Sequence, residues 1–198
     1  MNSALRIGIF GGTFDPIHLG HLAIARAALK QAHLSKVLFV IAADPPHKPG
    51  QTITPVHLRV AMVKAALQGE AAFELSEIEL ERPGPSYTAV TLAHIQQTLP
   101  TAQLFFIIGY DSALDFPKWY RPDEILQHAD LLIAPRPENK EPLPALLDDH
   151  HQLLDMKEWS LSSSHIRDTI RAGSMPVDTL PDSVITIIRK EGLYSSCP

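Results

Sequence analysis

An α/β fold, a mostly parallel sheet with helices on both faces, is the architecture this chain predicts, and three observations predict it. Apolar runs of strand length alternate with segments whose apolar residues recur every three or four positions. Strands separated by helices pair in parallel and need cover on both faces. Glycine- and proline-bearing polar segments fall where strands end, at Gly11-Gly12, Pro45 and Gly109-Tyr110-Asp111. Open parallel sheets place their ligands at such ends.

The elements follow in order. Arg6 to Phe10 reads as a buried strand, and Leu22, Ala25 and Leu29 mark the inner face of a helix beginning near His18. Lys36 to Ala42 is a second buried strand. Asp44 to Pro55 carries four prolines and must be a loop, leading into a helix with Leu58, Met62 and Leu67. Phe73 to Leu80 alternates, but its phase slips between Leu75 and Ile78, which predicts a bulge or break. Pro83-Gly84-Pro85 ends it, and Ser86 is the expected N-cap of a helix with Leu92, Ile95 and Leu99. Leu104 to Ile108 is the most apolar strand. A helix from Asp123 to His128, a strand Leu131 to Ala134, a proline-rich connection Pro135 to Pro144 and a short strand near Leu153 come next. Two helices close the chain, one opened by Ser162-Ser163-Ser164, the other showing Val184, Ile187 and Ile188.

At 198 residues the chain is expected to form a single domain, 1–198, with a sizeable core. Its formal charge of −5 argues against bulk attraction to nucleic acid, so phosphate binding must be local. A single cysteine, Cys197, excludes an intrachain disulfide and fits a reducing compartment. Met1 to Leu5 leaves no room for a signal peptide, and no apolar stretch is long enough to span a membrane. The expectation is a cytoplasmic protein that acts on small molecules, with homo-oligomer formation open.

The candidate site residues fall in short segments spread along the chain. Gly11-Gly12-Thr13-Phe14 follows the first strand, and its glycines are expected to turn sharply and approach a ligand closely. His18 and His21, three apart at a helix start, share a face and can reach one anion beside free N–H groups. Ser162-Ser163-Ser164-His165-Ile166-Arg167 offers a second anion nest, with Arg167 placed to clamp phosphate oxygens. Lys48 sits on a proline-stiffened loop. In Ser86-Tyr87-Thr88 the amides of Tyr87 and Thr88 are expected to be free for a carboxylate, and Trp119-Tyr120 supplies an aromatic face for a heteroaromatic ring.

His18-Leu19-Gly20-His21 resembles the His-x-Gly-His signature of the nucleotidylyltransferase superfamily, a relative of the class I aminoacyl-tRNA synthetase signature. Ser162 to Arg167 resembles that superfamily's Ser-Ser-Thr-x-Ile-Arg motif, with Ser164 in the threonine position. Together with Pro45-Pro46-His47-Lys48, Gly84-Pro85-Ser86-Tyr87-Thr88, Gly109-Tyr110-Asp111 and Trp119, nearly the whole chain resembles the bacterial nicotinate-nucleotide adenylyltransferases.

The resemblance implies a Rossmann-like sheet of nucleotidylyltransferase type and transfer of the adenylyl group of ATP to nicotinate mononucleotide, giving deamido-NAD and pyrophosphate. It implies catalytic roles for His18, His21, Lys48 and Arg167. ATP would be bound by Gly11, Gly12, Thr13, Phe14, His18, His21, Ser163, Ser164, Ile166 and Arg167. The mononucleotide would be bound by Lys48, Tyr87, Thr88, Asp111, Trp119 and Tyr120, and Mg2+ would enter mainly on the ATP phosphates. Two other readings stand beside it. One is a sibling enzyme acting on nicotinamide mononucleotide or another phosphate, the other a nucleotide-binding regulator without turnover.

Overall fold

Six strands, all parallel, form one sheet in the order β3-β2-β1-β4-β5-β6 in the computed structural model, which describes residues 5–45, 52–82, 84–136, 141–157 and 161–195. They are β1 (Arg6–Gly12), β2 (Lys36–Ile41), β3 (Phe73–Ser76), β4 (Gln103–Gly109), β5 (Ala129–Ala134) and β6 (His151–Leu153). The alternation expected of a doubly covered sheet is visible residue by residue. On β4, Phe105 and Ile107 enter one core while Leu104, Phe106 and Ile108 enter the other.

The first core is roofed by α1 (Leu19–Gln31), α2 (Val56–Ala66), α6 (Ser163–Arg171) and α7 (Asp182–Lys190). The second is roofed by α3 (Thr88–Thr98), α4 (Tyr110–Asp115) and α5 (Pro122–His128). Strand order reverses between β1 and β4, so the crevice beyond their carboxyl ends is the topological switch point. Among the described residues no helix is long and apolar enough to cross a membrane.

Several expectations are refined. The phase slip after Leu75 is a strand end: β3 stops at Ser76 and a turn carries Ile78 to Leu80. A further short helix, α4, follows directly on β4. On α2 the buried stripe is Arg59, Met62, Val63 and Ala66, with Leu58 half-buried. Ser86 does not cap α3, whose N-cap is Tyr87. The Ser86 hydroxyl instead accepts from the backbone N–H groups of Ala43 (3.0 Å) and Asp44 (3.2 Å).

Gly11 and Gly12 do not make the turn either. They belong to β1, and the left-handed residue is Phe14, at φ 49°. Gly12 is required for space, since a Cβ there would stand 2.8 Å from the Phe14 ring.

Candidate active site

Two helix N-termini open onto one cleft of about 380 Å³ at the switch point. Its walls include Gly11 near the end of β1, Gly109 at the end of β4, His18 and His21 at the start of α1, and Ser162 to Ser164 at the start of α6. The α6 end is well formed: Ser162 Oγ accepts from the His165 N–H at 3.1 Å, and Ser163 Oγ donates to the Pro16 carbonyl at 2.9 Å. Free N–H groups at both helix starts suit a phosphate chain.

The two imidazoles stack, with centroids 3.7 Å apart and planes 21° from parallel. The His18 backbone N–H donates to His21 Nδ1 at 3.2 Å. With Nδ1 an acceptor, the neutral His21 ring carries its proton on Nε2 and is a donor there. His18 is 4% exposed, and its Nδ1 is buried without a hydrogen-bond partner. Burial pulls the His18 pKa down to about 4. Burial, and then the nearness of His18, hold His21 well below the ordinary imidazole range. Both rings are therefore neutral donors or acceptors near pH 7 until an anion arrives.

The remaining ATP-side candidates divide. Gly11 lines this cleft, while Gly12 and Thr13 line its neighbour. Phe14 is buried, its ring edge-on to His21 at 5.2 Å, so it backs the histidine instead of facing the cleft. The Ile166 side chain lies wholly in the core. Arg167 is turned onto the β1–α1 loop, with Nη1 donating to the Asp15 carbonyl at 2.8 Å and Nη2 to Ser164 Oγ at 3.3 Å.

A second pocket of about 450 Å³ is bounded by Ser86, Tyr87, Thr88, Trp119, Tyr120 and Arg121. Tyr87 and Tyr120 stack at 4.4 Å, 28° from parallel. Thr88 opens α3, so its N–H has no acceptor within the helix. The Tyr87 N–H, expected to be free, donates to the Pro85 carbonyl at 2.9 Å. A narrow cleft of about 130 Å³, with Gly12, Thr13, Ala42, Thr88 and Trp119 in its walls, lies between the two larger spaces. Trp119 lines all three.

Asp111 is ion-paired with Arg136 and faces a side pocket with Ser112, Lys118 and Trp119. Lys48 lies outside the described residues. Sequence reasoning passed over Arg59, 2% exposed on the inner face of α2, and Glu79, 7% exposed, whose Oε1 accepts from Thr91 Oγ1 at 2.6 Å. A charged residue in phase with an apolar stripe was the available signal for Arg59.

Fold and cleft define an α/β protein in which two helix starts open onto one cleft beside an aromatic pocket. The chain belongs to the cytidylyltransferase-like family, whose model matches residues 9–169, and within it to the nicotinate-nucleotide adenylyltransferases. It is 41% identical over 194 residues to the nicotinate-nucleotide adenylyltransferase of Bacillus subtilis (strain 168), covering 96% of this chain and 99% of that protein. The fold is also that of Plasmodium falciparum nicotinic acid mononucleotide adenylyltransferase. Its complex with NaAD matches at TM-score 0.82 and 20% identity over 96% of this chain and 97% of the other. Its complex with APC matches at TM-score 0.79 and 19% identity, with the same coverage.

Proposed function

We propose that this protein transfers the adenylyl group of ATP to nicotinate mononucleotide, releasing pyrophosphate and forming deamido-NAD. The observation that carries the reading is the shared cleft. His18, His21 and Ser162 to Ser164 line one space, Tyr87, Thr88 and Tyr120 line a second, and Trp119 stands in the walls of both. A triphosphate fits the first space and an aromatic acid the second.

The attacking group is the mononucleotide's own phosphate, whose second pKa of about 6 leaves it largely dianionic at neutral pH. It needs no general base and no protein nucleophile. The chain's work is alignment for in-line attack and stabilisation of charge on the α-phosphate and leaving pyrophosphate. His21 Nε2–H donates to a phosphate oxygen, and the two imidazoles gain protons more readily once the anion lies against them. Arg167, a short swing from Ser164, holds the distal phosphates, and Lys48 offsets repulsion between the substrates.

Magnesium enters with ATP as part of the substrate. Phosphate oxygens and water supply most of its ligands in this reading. We place the reaction in the cytoplasm, on small molecules and without nucleic acid.

The test is pyrophosphate release from ATP with nicotinate mononucleotide, nicotinamide mononucleotide and phosphopantetheine side by side. The acid mononucleotide should be turned over with the highest kcat/KM. A higher value for another acceptor would make the protein a sibling enzyme, and ATP binding without pyrophosphate release would make it a regulator.

A further inference from the structure

We propose that Arg59 is the positioning residue for the mononucleotide half of the site, acting through three backbone carbonyls and touching no substrate. This deepens the reading above and rests on it for which space takes which substrate.

The guanidinium is buried, and its fork is spread over three chain segments. Nη1 donates to the carbonyls of Thr13 (2.9 Å) and Ala42 (2.8 Å), and Nε to that of Thr54 (2.9 Å). Thr13 lies just past β1, Ala42 just past β2, and Thr54 just before α2. The Ala42 N–H still bonds the Gly12 carbonyl at 2.9 Å, but beyond it the ladder ends. Arg59 therefore takes over where sheet hydrogen bonding stops, joining the ends of β1 and β2 to the approach to α2. A buried charge is costly without partners, and Asp15 supplies a counter-charge. Its carboxylate accepts from the Thr54 N–H (3.3 Å) and the Tyr194 hydroxyl (2.6 Å).

The direction of the effect follows from what these carbonyls border. Thr13 and Ala42 line the narrow cleft beside Thr88 and Trp119, and neither lines the cleft of His18 and His21. Ala43 and Asp44, next along the chain, donate their N–H groups to Ser86 Oγ, and Ser86 precedes Tyr87 and Thr88. A path of hydrogen bonds thus runs from Arg59 through Ala42 and Ser86 to the start of α3. Arg59 holds the β1–α1 loop at the single point Thr13, while the ATP side carries further anchors of its own, Arg167 on the Asp15 carbonyl and Ser163 on the Pro16 carbonyl. Loosening Arg59 should disturb one half and spare the other.

The test compares wild type, Arg59→Lys and Arg59→Met for the dissociation constant of ATP alone and the KM of nicotinate mononucleotide at saturating ATP. Lysine keeps the charge but is a point donor, unable to hold the planar fork; methionine leaves all three carbonyls without the guanidinium. Losing one charge-assisted hydrogen bond of ~1.5–3 kcal/mol corresponds to about tenfold or more. The mononucleotide KM should therefore rise about tenfold in Arg59→Lys while the ATP constant stays within about threefold of wild type. Ser86→Ala, which cuts the same path farther along, should shift the constants in the same direction. Parallel loss of ATP affinity in both Arg59 variants, or no change in either constant, overturns the proposal. A purely structural role would lower the melting temperature without separating the two substrates. Failure of the wild type itself to use nicotinate mononucleotide would instead sink the functional reading on which this rests.

Discussion

The His18 backbone N–H donates to His21 Nδ1 at 3.2 Å while the two rings stack at 3.7 Å. One contact sets the His21 tautomer and the other sets its orientation. The start of α1 thus converts two adjacent imidazoles into a single directed donor, at the point where a helix N-terminus already favours an anion. Phe14, edge-on to His21 at 5.2 Å, closes the back of the ring.

Replacing His21 tests that donor directly. His21→Ala should lower kcat by about a hundredfold to a thousandfold, the cost of losing one preorganised donor to developing charge. The circular dichroism and melting temperature should remain near wild type. His21→Gln, which still presents an N–H, should recover part of the loss. Steady-state kinetics on the folded His21→Ala protein showing near-normal turnover would remove the role.

The depressed histidine pKa values carry a stability consequence. His18 sits at about 4 in the folded protein against an ordinary 6.5, so the unfolded chain binds the extra proton between those values. Stability should be intact above pH 6.5 and fall as the pH drops toward 4. His18 alone accounts for roughly 3 kcal/mol in full, with about 2 kcal/mol already lost between pH 7 and 5. Urea unfolding of the ligand-free protein at several pH values checks this. His18→Gln should flatten the acid slope by about that amount, and an unchanged slope would contradict it.

What was legible in the sequence is what local pattern controls. Two-residue alternation and helical spacing located the strands and most helices, and the glycines, histidines and serines named both anion-binding ends. The differences have two causes, a partner distant in sequence for Ser86 and local backbone geometry for Tyr87 and the glycines. Ser86 has the chemistry of an N-cap, but bonds to Ala43 and Asp44 claim its oxygen. The position of Tyr87 at a helix start predicts a free amide, but a bond to the nearby Pro85 carbonyl occupies it. The spacing of Gly11 and Gly12 predicts a turn, yet they continue β1 because Phe14 carries the left-handed conformation. Arg59 is legible only as a charge in phase with an apolar stripe, and not by its role, since two of its carbonyl partners lie 46 and 17 positions away.

Gly20, between the histidines, has a role separable from helix propensity. A Cβ there would stand 3.0 Å from His18 Nδ1 and 3.1 Å from Cε1, so the ring must give way. Alanine is intrinsically the better helix former by about 1 kcal/mol, so Gly20→Ala should leave stability unchanged or slightly raised. Since a misplacement of ~1 Å in a catalytic group costs about a hundredfold, a shift of a few tenths of an ångström should cost about tenfold in kcat. Wild-type kcat in a protein of equal or greater stability would show that the His18 ring tolerates displacement.

Acid selectivity can be isolated at a single backbone atom. Thr88 is the first residue of α3, and Tyr87 before it has φ −86° and ψ 122°, a conformation proline tolerates in its predecessor. Proline is at home in the first position of a helix, where its missing N–H breaks no helical bond. Thr88→Pro should therefore keep α3 while deleting the N–H offered to the substrate carboxylate. A hydrogen bond to a charged group is worth ~1.5–3 kcal/mol, so the ratio of kcat/KM for acid over amide mononucleotide should fall about tenfold to a hundredfold. Efficiency with the amide, which has no carboxylate to lose, should change far less. An undiminished ratio in a folded Thr88→Pro protein would move the carboxylate elsewhere in the pocket, with the neighbouring backbone N–H of Ala89 the next group to examine.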